Sequence, residues 1–424
     1  MRFSARGAIL VLAVLVFPSG SRPGAEELRE TTWSFSGEAR FRPEWRDNAD
    51  LNSAVDDDLR QGFMRLRLGV TGKVRDDVTL FVQAQDSRVA GEETSTASNQ
   101  KNLDLHQGYV AAALGAAKSL TLTLGRQEWA YGDHRLIGNF VWDNVGRAFD
   151  GARLRFARAR FFLDGLLARI TSRPSGGGGS TGSDLYGLYA QAAPRKGAEY
   201  EGYWLAYADD LLAAGETGAP GKTRINAVGG RAKDRLGRFD FVAEAVLERG
   251  DFRGDSLRAH AAAGQAGLTW GQGVKVRTFG GYDFATGDRN PADGRREEFF
   301  NFFPTNHPHY GYMDYEGWRN LKSPYGGIGV TRGRHYVQAK VHRFALEQAR
   351  GPWKNAGGDV LGSDPTGASG SQVGRELDLT YRLAWRDRTT VECGYSRFEP
   401  GRFARRTRGG DPSGWAYVML TFGF

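Results

Sequence analysis

Residues 412–424 read PSGWAYVMLTFGF. Counting back from Phe424, alternate positions are apolar, namely Phe422, Leu420, Val418 and Ala416. Because successive side chains of a strand point to opposite faces, this segment predicts a strand with one continuous apolar face. Two structures accommodate such a strand: the closing strand of a membrane-spanning barrel, or an edge strand of a water-soluble domain.

The first residues predict a secretory signal peptide. A basic start at residues 1–6 precedes an apolar run at residues 8–17, and small residues follow it. The apolar run is too short to cross a bilayer as a helix, which needs about 20 apolar residues. We place the cleavage near Ala25, so that residues 1–25 are the signal peptide and residues 26–424 form the mature chain. The protein is then expected to be exported, either as a soluble domain or as a barrel.

Composition favours the barrel. The 424-residue chain contains 59 Gly and 12% aromatic residues, but only 40% hydrophobic residues, and its mean hydropathy is −0.49. Glycine and aromatic residues suit the turns, bends and interfacial girdles of barrels. The single cysteine, Cys393, excludes an intrachain disulfide framework and a thiolate metal site. The net charge of +8 comes from an unusual excess of arginine, with 47 Arg against 10 Lys.

Alternating segments of strand length recur along the mature chain. They lie near residues 33–45, 61–73, 77–86, 103–114, 119–128, 150–158, 160–170, 184–193, 200–209, 223–233, 236–248, 258–269, 273–285, 318–330, 333–345, 374–386, 388–399 and 413–424. Short turns such as 75–77 alternate with long polar stretches such as 286–317 and 346–373. The sequence therefore predicts an all-β fold: one transmembrane antiparallel up-and-down β-barrel of about 18 strands with long extracellular loops.

The same alternation predicts which side chains face the lumen. Where apolar residues face lipid, their neighbours must face water. In the first strand Trp33 and Phe35 take the lipid side, which turns Arg40 inward. The predicted pore-lining residues are Glu38, Arg40, Arg42, Arg65, Arg67, Arg153, Arg155, Glu244, Lys275, Arg277, Asp283, Arg334, Lys340 and Arg382.

These predicted lumen residues carry both charges, with guanidinium groups in excess among the early strands. They could form an internal salt-bridge network that only stiffens the barrel. An 18-stranded barrel, however, is wide enough to leave an aqueous channel. Arg and Lys around such a channel favour anions, and the planar fork of Arg binds both oxygens of a carboxylate. The sequence thus favours an anion-selective path, with structural pairing as the alternative.

Several blocks of sequence resemble the alginate export family of outer-membrane barrels. They cover residues 124–138, 142–154, 285–288, 303–307, 310–314, 317–321 and 392–401. The resemblance implies an 18-stranded barrel with an Arg-rich constriction, through which an anionic uronic-acid polymer leaves the cell. The terminal strand ending at Phe424 is similar to the closing strand of such barrels, which implies recognition by the barrel-assembly machinery and contact with outer-membrane lipid.

We therefore expect a passive channel of the bacterial outer membrane that exports an alginate-like uronate polysaccharide. The alternative is a general anion-selective diffusion porin for the uptake of small acidic solutes. An enzyme is not expected, because His106, His134 and His335 lack a matching Ser with clear geometry. We expect no cofactor, no metal and no nucleic-acid partner.

Two features depart from simple alternation. Arg126 shares the outward parity of Leu124. We expect the strand to have left the hydrocarbon band at this point, rather than to contain a bulge after Gly125. The long segment 286–317 contains His307 and His309. We interpret it as a folded loop that can dip inward and narrow the pore, rather than as a metal site.

Overall fold

The computed structural model describes residues 31–93, 95, 102–174 and 180–424. The predicted signal peptide at residues 1–25 lies outside these residues. The strands are β1 (Thr32–Asp47), β2 (Leu59–Arg75), β3 (Val78–Val89), β4 (Leu103–Leu114), β5 (Leu120–Gln127), β6 (Phe149–Arg158), β7 (Phe161–Pro174), β8 (Ser180–Ala192), β9 (Glu199–Ala214), β10 (Pro220–Leu236), β11 (Phe239–Phe252), β12 (Asp255–Trp270), β13 (Val274–Ala285), β14 (Arg295–Arg296), β15 (Leu321–Arg332), β16 (His335–Leu346), β17 (Trp353–Lys354), β18 (Val360–Gly362), β19 (Gln372–Arg386), β20 (Thr389–Pro400) and β21 (Ser413–Gly423). One short helix, α1 (Arg402–Thr407), precedes the last strand, and no helix in the described ranges is long and apolar enough to cross a bilayer.

All strands except the short β14, β17 and β18 form one closed antiparallel barrel. Each pairs with its neighbour in the chain, and β1 closes the cylinder against β21 with Ala39 opposite Phe422 and Arg40 opposite Thr421. Phe424 continues this pairing, because its backbone exchanges two 3.0 Å hydrogen bonds with Gly37. The prediction of an 18-stranded transmembrane barrel is confirmed, and every predicted segment overlaps one barrel strand.

The two faces of the wall have the predicted character. Trp33 and Phe35 on the outer face of β1 are 55% and 76% exposed, whereas Arg40 on the inner face is 5% exposed. Outward apolar side chains of this kind suit contact with lipid. One end of the barrel carries short turns, and the other carries long connections such as 128–148 and 347–371. The end with the long loops is the extracellular end in barrels of this type.

Arg126 lies on the outer face near the extracellular end of β5. Its guanidinium pairs with Asp150 on the neighbouring strand at 2.8 Å. The register between β4 and β5 runs without a shift past Gly125, so no bulge reverses the alternation here. This agrees with a strand that has left the hydrocarbon band at Arg126.

The hydrophobic core lies inside the barrel. Inward side chains of the strands, such as Leu185 and Leu205, pack with side chains of two long loops, such as Trp129 and Trp318. All four are at most 1% exposed. Because a fully buried side chain of this size contributes about 1.5–3 kcal/mol, the core holds the loops inside the barrel.

Candidate translocation path

Two connections enter the lumen and join each other. The first inward loop is residues 128–148, between β5 and β6, and the second inward loop is residues 297–320, which leads into β15. The backbone of Phe303 donates to Leu136 (2.8 Å), and Gly138 donates back to Phe303 (2.9 Å). The expectation that the segment 286–317 dips inward agrees with this arrangement. The lumen is therefore not the open tube that alternation alone predicted, because the two loops cross it.

Lumen-facing carboxylates hold the second inward loop. The backbone N–H of Phe300 donates to Glu248 on β11 at 2.9 Å. The backbone N–H of Met313 donates to Glu376 on β19, also at 2.9 Å. These buried carboxylates thus act as acceptors for loop backbone, and neither forms an ion pair with an arginine of the described residues.

Two predicted pore arginines hold the first inward loop by its carbonyl groups. Arg40 donates to Val141 O (2.8 Å) and to Asp143 O (2.9 Å). Arg65 donates to the same two oxygens at 3.1 and 3.0 Å, and its other nitrogens bind Glu38 at 2.6 and 2.9 Å. In the described chain Arg40 has no carboxylate within ion-pairing distance, and its hydrogen bonds go to carbonyl and amide oxygens.

Arg67 is a third anchor of the first inward loop. It donates to Gln85 at 2.6 Å, to Glu128 at 3.1 Å and to Val145 O at 3.1 Å. It is 6% exposed, so the loop covers it. This predicted pore residue therefore lies behind the loop.

Arg42 is covered in the same way. Its guanidinium donates to the backbone carbonyl of Trp142, lies 4.2 Å from the centre of the Trp142 ring, and pairs with Glu44 at 2.6 Å. A cation over an aromatic face is a favourable contact, and more so where water is excluded.

Arg147 belongs to the first inward loop and joins it to the second. Its Nη1 donates to Gly138 O (3.0 Å), Pro304 O (2.9 Å) and Phe303 O (2.5 Å). Burial lowers the pKa of Arg147 to about 10, so the group stays charged at neutral pH.

Arg135 fixes the loops to the opposite wall. It is buried, and it donates to the Tyr310 hydroxyl at 2.6 Å and contacts Asp283 of β13 at 3.3 Å. Burial alone would lower the pKa of Arg135, but Asp283, together with smaller contributions from Tyr310, Tyr325 and Glu244, outweighs burial and raises it well above its usual value. The fully buried Asp283 is thus a partner of Arg135 and does not line an open path.

Two chambers remain beside the inward loops, and Pro308 borders both of them. The β1 chamber has a volume of about 340 Å³, and the β13 chamber has a volume of about 550 Å³. Such volumes are typical of sites for small molecules.

The β1 chamber combines charge with aromatic surface. Its charged lining residues are Glu38, Arg40, Arg65, Arg382 and Glu392, three cations against two carboxylates. Arg382 pairs with Glu392 at 2.5 Å. The rings of Trp142, Tyr312 and Tyr417 complete the lining.

The β13 chamber has the larger excess of cations. Its charged lining residues are Asp133, Arg135, Lys233, Asp234, Arg235, Asp240, Arg277 and Lys340. Arg277 pairs with Asp240 at 2.5 Å. The Lys340 ammonium lies 3.4 Å from the carbonyl oxygens of Pro308 and His309, and no carboxylate of the described residues lies within ion-pairing distance of it.

Two predicted pore residues lie at the short-turn end of the barrel and line neither chamber. Arg334 occupies the tight turn between β15 and β16 and donates to Trp385 O at 2.8 Å. The prediction for Arg334 is corrected, because a residue in a turn has no lumen face. Lys275 is exposed close to the start of β13.

Three more predicted residues face inward without reaching a chamber. Arg155 is held by Asp164 through bonds of 2.7 and 2.6 Å. Glu244 is buried and accepts a 2.7 Å bond from the Tyr203 hydroxyl. Arg153 is half-buried, and it forms no ion pair within the part of the chain that the structure describes.

The two histidines of the second inward loop have separate partners. His307 bonds Asp314 at 2.9 Å and stacks on Trp142 with ring centres 4.2 Å apart. His309 Nε2 donates to Asp133 O at 2.7 Å. Among the described residues no three or more His, Cys, Asp or Glu side chains are grouped to hold a metal ion.

Sequence reasoning missed the loop residues Arg135 and Arg147, and it assigned His309 to an inward loop without its contact to Asp133 O. The first two lie in the block 124–154 that carries the family resemblance, but a loop has no alternation from which a face could be assigned. Lys233 and Arg235 on β10 were missed as well, although they share the inward parity of the buried Arg231.

The sequence profile of alginate export proteins matches residues 31–413. The chain belongs to the alginate export family. The protein is therefore a channel of the bacterial outer membrane and not an enzyme. Its outer wall contacts membrane lipid, and a solute or polysaccharide passes through this alginate export family barrel. No curated protein matches the sequence.

Solved structures with the same fold are remote in sequence. Pseudomonas aeruginosa OccK11 (OpdR) superposes with a TM-score of 0.60 at 10% identity, covering 92% of this chain and 96% of that chain. The outer membrane protein OprD from Pseudomonas aeruginosa gives 0.58 at 7% identity, covering 92% and 94%. Pseudomonas aeruginosa OccK2 (OpdF), in complex with glucuronate, gives 0.58 at 10% identity, covering 92% and 98%. At such identities the likeness shows the fold alone.

Proposed function

We propose that the channel conducts anionic saccharides and that its cargo is an alginate-like uronate polymer leaving the cell. The observation that carries the proposal is the surplus of cations over carboxylates in both chambers beside the inward loops. A uronate polymer has one carboxylate per sugar, so successive weak contacts with cations can pass it along without trapping it. The aromatic rings of the β1 chamber offer the apolar surface that sugar-sized ligands also need.

A polymer is longer than either chamber, so its passage requires the inward loops to move aside. The contacts of the first inward loop suit such a movement, because Arg40 and Arg65 bind neutral carbonyl oxygens there. Arginine binds a carboxylate more strongly than a neutral acceptor, since both partners are then charged. An arriving uronate can therefore compete with the loop for the same two guanidinium groups.

The test is the reversal potential of the protein in planar bilayers under a salt gradient. We expect anion preference, reduced by Lys340→Gln and by Arg382→Gln, which change chamber cations. Arg334→Gln, in the turn, is the matched control and should leave the preference unchanged. Cation preference of the wild-type channel would overturn the proposal. Arg40 and Arg65 are less suitable positions for this test, because changing them also releases the first inward loop.

A general anion-selective porin for the uptake of small acidic solutes is the second candidate. Chambers of about 340 and 550 Å³ favour it, as does the glucuronate complex of the remotely similar OccK2. Liposome swelling with mono-, di- and oligo-uronates separates the two. Entry of the monomer alone supports the porin, and entry of oligomers supports the exporter. We also propose that the barrel-assembly machinery recognises the strand ending at Phe424.

A further inference from the structure

The outer wall of the barrel contains a basic cleft near its extracellular end. The cleft has a volume of about 530 Å³ and lies over β15, β16 and β19. Its charged lining residues are Lys322, Arg343, Arg375, Arg405 and Glu399, four cations against one carboxylate. It is separate from both chambers of the lumen.

Arg343 and Arg375 point away from the lumen. Their chain neighbours His342 and Glu376 are 0% and 1% exposed inside the barrel, whereas both arginines are exposed. Because side chains of a strand alternate between faces, both guanidinium groups lie on the membrane side of the wall.

The basic cleft lies at the edge of the lipid-facing band. Toward the middle of the barrel, the next outward residues are Val341 on β16 and Leu377 and Leu379 on β19, which are 46%, 36% and 41% exposed. Beyond the cleft, the chain enters the long connection 347–371. The cations are therefore placed at the level of the head groups of the outer leaflet.

Arg343 and Arg375 are direct cross-strand partners. Like charges directly opposite each other destabilise a sheet. In the described part of the chain neither guanidinium has a carboxylate within ion-pairing distance. Glu399, the cross-strand partner of Arg375 on its other side, is bound by Arg397 at 2.7 Å. An anion from outside the chain would relieve this repulsion.

A second pair repeats the arrangement at the same end of the barrel. Arg249 on β11 and Arg258 on β12 are also cross-strand partners, and both are exposed. Two outward arginine pairs at one level of the wall indicate a negatively charged surrounding at that level.

We propose that the basic cleft binds the phosphate groups of a phosphorylated glycolipid of the outer leaflet, of the lipid A type. The guanidinium fork matches a phosphate group in geometry and charge. Basic pockets at a membrane surface recognise anionic head groups in the same way. The acyl chains then lie along the apolar wall beneath the cleft, next to Val341 and Leu377.

The test compares wild type with the double variant Arg343→Gln/Arg375→Gln. The matched control is Arg332→Gln, on the same outward face of β15 as Lys322 but at the opposite end of the strand. Binding of purified diphosphoryl lipid A to each protein in neutral detergent is measured by native mass spectrometry. We expect the double variant to bind at least about tenfold more weakly, a difference of about 1.4 kcal/mol, and the control to bind like wild type. Equal binding by wild type and the double variant would overturn the proposal.

Two ligand arms identify the source of the phosphate. Dephosphorylated lipid A should lose the affinity, and inorganic phosphate should not compete at concentrations similar to those of the lipid. If inorganic phosphate binds as well as lipid A, the cleft is not a lipid site. If dephosphorylated lipid A binds equally well, the phosphate groups are not recognised.

A second measurement, the Tm of a single variant, tests the proposal even if the double variant cannot be purified in sufficient amount. In neutral detergent the single variant Arg343→Gln should melt no lower than wild type, because it removes the repulsion from Arg375. Lipid A should raise the Tm of wild type by several degrees more than that of the variant. Equal rises in Tm on adding lipid A to both proteins would contradict the proposal that lipid A binds in the cleft.

Discussion

Replacing Arg147 by alanine should release the two inward loops from each other. Its Nη1 nitrogen donates to Gly138 O at 3.0 Å in the first inward loop, and to Pro304 O at 2.9 Å and Phe303 O in the second. One nitrogen carries two hydrogens, so two of these three bonds are well aligned at any time.

The size of the effect follows from these two bonds. A hydrogen bond from a charged donor contributes about 1.5–3 kcal/mol. Burial, which lowers the pKa of Arg147 to about 10, offsets part of this gain, so we take the lower value for each bond. Without Arg147 the contact between the two inward loops is then weaker by about 3 kcal/mol. Since about 1.4 kcal/mol is a factor of ten, the state with separated loops should become about 100-fold more populated.

Single-channel recording measures this population as the frequency of openings to the larger conductance. Arg147→Lys should fall between wild type and Arg147→Ala, because an ammonium can replace some of the bonds. Arg126→Ala is the control, since it removes an arginine whose ion pair lies outside the lumen. If Arg147→Ala folds, as judged by its heat-modifiable migration, and opens as rarely as wild type, the reasoning is refuted.

Acidification should also open the loops. Burial lowers the pKa of His309 well below its usual value. The state in which the inward loops are docked therefore loses stability relative to the undocked state as pH falls below about 6.5, by at most about 1.4 kcal/mol per pH unit. The measurement is channel conductance between about pH 7.5 and 5, which should rise as pH falls. The same rise in His309→Gln would contradict the assignment. Glu216, in the turn between β9 and β10, faces Asp288, which follows β13. Burial and Asp288 raise the pKa of Glu216 to about 8, so the free energy of unfolding should fall as pH rises from about 4.3 to 8. Glu216→Gln should therefore melt higher than wild type above that range and equally below it, and a Tm difference of the opposite sign would refute the assignment. Gly125 has φ +124°, and a Cβ there would lie 2.3 Å from a carbonyl oxygen of β4, so Gly125→Ala should lose folded barrel through about 1–3 kcal/mol of strain. Gly202→Ala, where nothing lies within 4 Å, is the control that should fold like wild type in the same gel assay.

The barrel could be predicted because its rule is local. A strand of the wall has to present apolar side chains to lipid on one face, so residues such as Trp33 and Phe35 reveal both the strand and its orientation. The same rule placed Arg40, Arg65 and Lys340 on the inner face. It failed for Arg334, because parity does not show where a strand ends and a turn begins.

The occupants of the lumen could not be predicted in this way. Arg40 faces inward as expected, but its partner Val141 comes from a loop 101 residues away in sequence. Loops follow no period, so neither the parity of Arg147 nor its contact with Pro304 could be inferred from spacing. Alternation predicts the face of a side chain, and tertiary packing decides which group it meets there.

The contact between Arg147 and Phe303 spans 156 residues of chain. Contacts of such long range form late in folding, because the chain between them must first be ordered. The pairing that closes the cylinder, Ala39 opposite Phe422, spans a still longer stretch of chain, so by the same argument it forms later and the loops can dock first. A barrel whose loops dock before the wall closes never presents an open hole in the cell's permeability barrier, so these contacts limit leakage during biogenesis as well as afterwards.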